Sequence, residues 1–527
     1  MKKKLFTKIL CLLLGFAVIF GGIYAVMDYK YADSIIPIKR FYQQKENSID
    51  VLGLGTSHIY EGLCPAVLYR EYGIAAYDLC APAQAVWSTY YYFVEALKTQ
   101  RPKAVVFDTY MLNTNTDFDT TANAIKTTYG MRWSRNRLNA LQAAFEAKDV
   151  VTALNPFNQI HSRYDDLSSA DILPYAGNKA YYGKSFKGFA TGDEITEITI
   201  PDVTQWTAER TFNEKHERYY RAIIELAVEN KIPIYVIAVP YAIASDTQST
   251  VNTARRIAAE YDSDLVRFID FDALIDEMGV DTKTDFSNKQ HLNYAGSRKF
   301  TSYFGKILKT ELELPDRRTD AVYDSWAENA DMFYRCYEDF LLKHTDSMET
   351  YLQKVQALDD GYTVILAENT GITTNAAADD ALIKNGGQPE RPAALSDVQY
   401  GDLLNARAQA QKAAFPDTFF SQRFGIARHS MQGGIWLRAA GNTAYTQLTA
   451  GAEKYTKYLK FKFTDSAYLT CTATATDDGK LYTNTIAFNG KKYSVGINEI
   501  GIFVYDNRAE QFVDFVTIAK NEKTVKR

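Results

Sequence analysis

The chain has 527 residues, a length that predicts two or more domains. It is 46% hydrophobic and 23% charged, ordinary globular usage, with a formal net charge of -5. That balance offers no basic excess to neutralise phosphates, so a nucleic-acid partner is not expected.

The N-terminus carries Lys2, Lys3, Lys4 and Lys8, and then Ile9 to Met27 contain no charged side chain. As a helix at about 1.5 Å per residue, this run is just long enough to cross a bilayer. The positive-inside rule keeps the N-terminus cytoplasmic and exports the bulk of the chain. An uncleaved signal anchor over residues 1–28 is the expectation, since no A-x-A-like pair of small residues closes the run. A cleavable signal peptide is the alternative. Cys11 lies inside the apolar run. The other four cysteines, Cys64, Cys80, Cys336 and Cys471, form no C-x-x-C, and the six histidines include no H-E-x-x-H. Neither a zinc site, a disulfide framework nor a cofactor is indicated.

A charged, aromatic connector (29–47) leads into alternation of the βαβ kind. Ile49 to Leu54 reads as a buried strand, Val67 to Tyr72 as the end of a helical segment, and Ile74 to Cys80 as a second strand. Val86 to Gln100 lacks glycine and proline and reads as a helix. Ala104 to Asp108, Ile232 to Val239 and Val266 to Phe271 read as further strands, with a helix over about Phe212 to Asn230. Short continuous apolar strands alternating with helices predict an α/β domain with a parallel sheet covered on both faces, spanning 48–314. Ligands of such sheets sit beyond the carboxyl ends of the strands. Residues 112–211 break the rhythm and predict an insertion that forms a lid or a substrate wall. Tyr294 to Thr310 is a helix with Phe300, Phe304, Ile307 and Leu308 on one face. A charged helical spacer (315–360) follows. Strand-like runs then dominate 361–527, with Gly501–Tyr505 paired to Phe512–Ile518, and predict a mostly β second domain.

Two stretches carry chemistry. Asp50-Val-Leu-Gly-Leu-Gly-Thr-Ser-His58 runs from a strand into a turn, where the hydroxyl of Ser57 can attack and exposed amides can receive an oxyanion. A dinucleotide fingerprint fails because His58 stands where a third glycine is needed. Asp285-Phe-Ser-Asn-Lys-Gln-His-Leu-Asn-Tyr-Ala-Gly296 places His291 in a polar loop just before a helix. A serine nucleophile needs a base to take its proton, and the base needs an acceptor that fixes its tautomer. Taken singly, a capping serine and a surface histidine are the plainer readings.

Together the two stretches resemble the SGNH (GDSL-like) hydrolase and acyltransferase superfamily, in its membrane-anchored envelope branch. Gly55-Thr56-Ser57-His58 resembles the nucleophile block, Tyr77-Asp-Leu-Cys-Ala-Pro-Ala-Gln84 with Trp87 and Ser88-Thr-Tyr-Tyr-Tyr92 the second block, and His291-Leu-Asn-Tyr-Ala-Gly296 the last. The resemblance implies a flavodoxin-like sheet, Ser57 as nucleophile and His291 as base. The oxyanion would be held by the amide of Ser57 with backbone near Ala83 and Gln84, and Asn113 is the candidate for the family's asparagine block. Two positions depart from the pattern. Asn288 stands where the family usually has the aspartate of Asp-x-x-His, with Asp285 three residues earlier as a possible substitute. Ala83 stands where glycine is common.

Tyr362–Asn369, Ala381–Gly387, Arg423–Arg428 and Gly496–Asp506 are similar to the interleukin-like EMT inducer (ILEI/FAM3-like) domain, which implies carbohydrate binding. The expectation is a serine O-acyltransferase or esterase that acts on a cell-envelope polysaccharide. By the same resemblance, its acyl donor could come from a membrane-bound O-acyltransferase partner. The alternative is a catalytically degenerate surface protein that acts as a glycan-binding or scaffold module.

Overall fold

The computed structural model describes residues 2–27, 34–154, 164–165, 186–359, 361–369, 434–439, 442–446, 457–462, 467–475, 482–496, 499–519 and 522–527. The helix Lys2–Met27 contains an apolar span, Phe6–Met27, of mean hydropathy 2.6, long enough to cross a membrane. Its side chains are exposed along that span, as a lipid-facing helix requires. The chain divides into two compact units, Met1–Tyr334 and Arg335–Arg527.

The first unit is built on five parallel strands, β1 (Val51–Gly55), β2 (Ala76–Cys80), β3 (Ala104–Asp108), β4 (Ile234–Ala238) and β5 (Val266–Asp270). Their order is β2-β1-β3-β4-β5, the doubly wound order whose switch point lies at β1 and β3. β1 to β4 are buried along their whole length, which is why they read as continuous apolar runs rather than alternating ones. One face is covered by the helices Pro65–Tyr72 and Tyr294–Glu311. There Phe300, Phe304 and Leu308 join Val51, Val106 and Ile237 in one core. Thr301 fixes this packing: its hydroxyl accepts from the Cys64 amide at 2.8 Å and donates to the Gly62 carbonyl at 3.0 Å.

The described parts of 112–211 divide by position. Helices Thr121–Thr128, Arg135–Ala144 and Ala147–Leu154 pack on the helix Val86–Ala96 through Ala124, Leu141 and Ala144 around Trp87. They extend the helical layer. Residues 190–198 instead run alongside the loop that carries His291. The Ala190 amide donates to the Tyr60 carbonyl at 2.9 Å and the Thr196 amide to the Phe286 carbonyl at 2.8 Å, while Gly192 bridges Asn293. A side chain at Gly192 would press on Ser287, so glycine permits this close approach.

The segment read as a helical spacer contains the helices Asp324–Lys343 and Met348–Ala357. Trp326 and Phe333, on the helix Asp324–Lys343, are buried in the first unit, with the Trp326 indole donating to the Ala76 carbonyl at 2.8 Å.

The second unit holds β6 (Tyr362–Asn369), β7 (Gly434–Ala439), β8 (Asn442–Thr446), β9 (Lys457–Lys462), β10 (Tyr468–Ala475), β11 (Tyr482–Phe488), β12 (Lys491–Ser494), β13 (Glu499–Asp506) and β14 (Gln511–Ala519). They form two antiparallel sheets, β14-β13-β6-β7-β8 and β12-β11-β10-β9. The expected hairpin is present as β13 and β14, with Ile502 opposite Val516. Tyr351 and Val355 of the helix Met348–Ala357 pack on Val364, Ile502 and Val504. Strands β7, β8 and β12 were not anticipated from the sequence. The stretches Ala381–Gly387 and Arg423–Arg428 lie outside the described residues.

Candidate active site

Gly55 ends β1 with φ +142°, a conformation open essentially to glycine alone. The chain turns there because Asp108, at the end of the neighbouring β3, fills the space a side chain would need. The Asp108 carboxylate accepts from the Thr56 amide at 2.6 Å and from the Tyr110 amide at 2.9 Å. Burial pushes this carboxyl up to about 6, against the pull of the two amides. Thr56 caps the next turn, its hydroxyl accepting from the His58 amide at 3.1 Å. Ser57 is therefore presented at the carboxyl edge of the sheet, at the switch point, as the first residue of the helical turn Ser57–Tyr60.

His291 reaches the same place from 234 residues away. Its Nε2 lies 2.8 Å from Ser57 Oγ. The loop that carries it closes on itself. The Ser287 amide donates to the His291 carbonyl at 2.9 Å, and the Asn293 amide donates to the Asp285 carbonyl at 3.0 Å. Asn293 then caps the helix Tyr294–Glu311. Burial lowers the His291 imidazole to about 4, so the ring is neutral at pH 7 and can accept a proton.

The structure takes Asp285 and Asn288 away from the imidazole. Asp285 is buried, with its oxygens on the Asp281 amide, the Thr284 hydroxyl and the Lys299 ammonium. Asn288 spends its carboxamide on the Ser287 hydroxyl and the Gln290 amide. Both hold the loop's shape, their polar atoms bonded within the loop or to Lys299 rather than to the ring. The carboxylate that does approach is Glu61, whose Oε1 lies 3.7 Å from His291 Nδ1. The sequence carried a signal for it. Ser57 and Glu61 are spaced i, i+4, which puts them on one face of the turn.

The remaining candidates sit as follows. His58 is buried, its ring stacked on Tyr110 at 3.9 Å and 5.4 Å from the His291 ring. Burial holds it well below its usual range. Its Nε2 has no partner among the described residues. A small cavity beside it is lined by Asp108, Tyr110, Tyr241, Thr247 and Thr250. Ala83 adopts φ +48°, left-handed backbone that favours glycine, which accounts for the glycine expected there. Gln84 is buried and donates to the Thr89 hydroxyl at 3.1 Å. The Asn113 carboxamide oxygen accepts from Arg210 at 2.7 Å and from Thr250 at 3.2 Å, which ties down the turn that follows β3. Among the described residues, no group of three histidine, cysteine, aspartate or glutamate side chains is arranged to hold a metal ion.

No protein-family model matches the chain, and no curated protein matches it significantly.

Proposed function

We propose that the chain is a membrane-anchored serine O-acyltransferase or esterase that acts on a cell-envelope polysaccharide, with an acyl-serine intermediate on Ser57. The observation that carries this reading is the 2.8 Å contact between Ser57 Oγ and the neutral His291 Nε2 at the switch point of the sheet. Ser57 Oγ attacks the acyl carbonyl as its proton passes to His291 Nε2. The departing alcohol takes that proton, leaving the acyl group on Ser57. A sugar hydroxyl or water then attacks, gives its proton to His291 and restores free Ser57. The amides of Ser57 and Ala83 would receive the oxyanion, the Gln84 amide being given to the Ala81 carbonyl at 3.2 Å. The apolar helix would anchor the chain with its N-terminus cytoplasmic, and the C-terminal unit would concentrate polymer near the site. The acyl donor would come from a membrane-bound O-acyltransferase.

The second reading is a degenerate SGNH-like surface module that binds glycan without turnover. It is favoured by the diversion of Asp285 and Asn288 into loop structure. One experiment separates the two. Full-length protein in detergent is given p-nitrophenyl acetate, with and without an oligosaccharide acceptor. Turnover and an acetyl-peptide containing Ser57, both lost in Ser57→Ala, support the enzyme. Acetylated oligosaccharide distinguishes transferase from esterase. Absence of turnover and of acyl-enzyme in the wild type refutes the enzyme and leaves the binding module.

A further inference from the structure

An imidazole that takes a proton from serine becomes a cation. A carboxylate at its far nitrogen both fixes the tautomer and stabilises that charge. Asn288 and Asp285, three and six residues before His291, are bonded within its loop and to Lys299. The ring instead lies between Ser57 and Glu61. Its Nε2 is 2.8 Å from the Ser57 hydroxyl and its Nδ1 is 3.7 Å from Glu61 Oε1. Both approaches come from a single helical turn. The Glu61 amide donates to the Ser57 carbonyl at 2.8 Å, so nucleophile and carboxylate are locked in register.

The separation of 3.7 Å is about half an ångström beyond a hydrogen bond. Both side chains keep about one-sixth of their surface exposed (16% for His291, 15% for Glu61), so each can still adjust. Such contacts often tighten only when substrate closes the site. Among the described residues, the titratable ring packed against His291 is His58, which burial keeps neutral, so it adds no competing charge.

We propose that Glu61 is the positioning residue of this site: its carboxylate, one turn after the nucleophile, accepts from His291 Nδ1 and orients Nε2 toward Ser57. This inference rests on the reading of Ser57 as nucleophile. It predicts that a carboxylate from the nucleophile's own turn takes over from one in the histidine loop.

The test uses full-length protein in detergent with p-nitrophenyl acetate. Glu61→Gln is expected to lower kcat by about 10²- to 10⁴-fold with KM changed less than about threefold. Glu61→Asp recovers part of that loss. A second readout needs no turnover. The pH dependence of diethyl pyrocarbonate modification, followed on the His291 peptide by mass spectrometry, reports the protonation of that ring. Its midpoint is expected to fall in Glu61→Gln, because the carboxylate favours the imidazolium. Wild-type kcat in Glu61→Gln together with an unchanged His291 midpoint overturns the proposal. Full activity in Ser57→Ala overturns the acyl-serine reading instead, and the His291 midpoint still decides the role of Glu61.

Discussion

Gly55→Ala should disrupt the site from behind, without touching any reacting atom. Gly55 holds φ +142°, and a residue with a Cβ forced into that region costs about 1–3 kcal/mol in backbone strain. A methyl group there also overlaps the Asp108 carboxylate, which is buried and cannot retreat into solvent. Moving Asp108 stretches its bonds to the Thr56 amide (2.6 Å) and the Tyr110 amide (2.9 Å). A hydrogen bond to a charged group is worth about 1.5–3 kcal/mol, so losing one brings the total to about 2.5–6 kcal/mol. Urea unfolding followed by tryptophan fluorescence measures it directly. Four of the five tryptophans, Trp87, Trp133, Trp206 and Trp326, lie in the Met1–Tyr334 unit, so the signal reports mostly on that unit. Ester turnover should fall together with stability, because Thr56 and Ser57 are adjacent. The double variant Gly55→Ala/Asp108→Ala should lose less than the sum of its parts, since Asp108→Ala removes the carboxylate that the new methyl overlaps. A loss below about 1 kcal/mol in Gly55→Ala, with turnover intact, would refute this account of the turn.

Two further outcomes follow from the same geometry. Ala83→Gly relieves left-handed backbone at φ +48°, worth about 1–2 kcal/mol, against about 0.5–1 kcal/mol of added chain entropy. A small rise in unfolding midpoint is expected, and a clear drop would show that the Ala83 methyl packs usefully. The second concerns pH. The folded His291 pKa lies near 4, below the unfolded value of about 6.5. Its neutral form is the base, so the step in p-nitrophenyl acetate turnover that follows His291 should have its midpoint near 4, below any step from the Asp108 carboxyl near 6. By linkage, its contribution to stability is fully present above about 6.5 and is lost as pH falls through 6.5 toward 4. A decline in kcat/KM centred near 6.5 with no step near 4 would show that the imidazole is not desolvated as described.

The reach of the sequence differs from element to element. Strands β1 to β4 were legible because a strand buried on both faces is a short apolar run bounded by turns, and β5, a partly exposed edge strand, keeps enough of that run in Val266, Phe268 and Ile269. Their boundaries shifted by one or two residues, as at Val51–Gly55 against an expected Ile49–Leu54. The helices of 121–154 were missed, because their small and polar residues pack through alanines on Trp87 and leave only a faint apolar stripe. Strands β7 and β8 were missed because glycine, arginine and threonine dilute their alternation, and their pairing with β6 is long-range.

What the sequence determined by itself was the α/β alternation, the apolar N-terminal span, and Ser57 and His291 as the residues to watch. All of these are written in local spacing and residue type. What only the tertiary structure decided was which groups meet. The chain closes over 234 residues to bring His291 Nε2 within 2.8 Å of Ser57 Oγ. It turns Asp285 toward Lys299 and ties Asn288 into its own loop. Among the described residues, it leaves Glu61 as the carboxylate that approaches Nδ1. Hydrogen-bond partners depend on where separate segments come to rest, and a one-dimensional pattern holds no such distances.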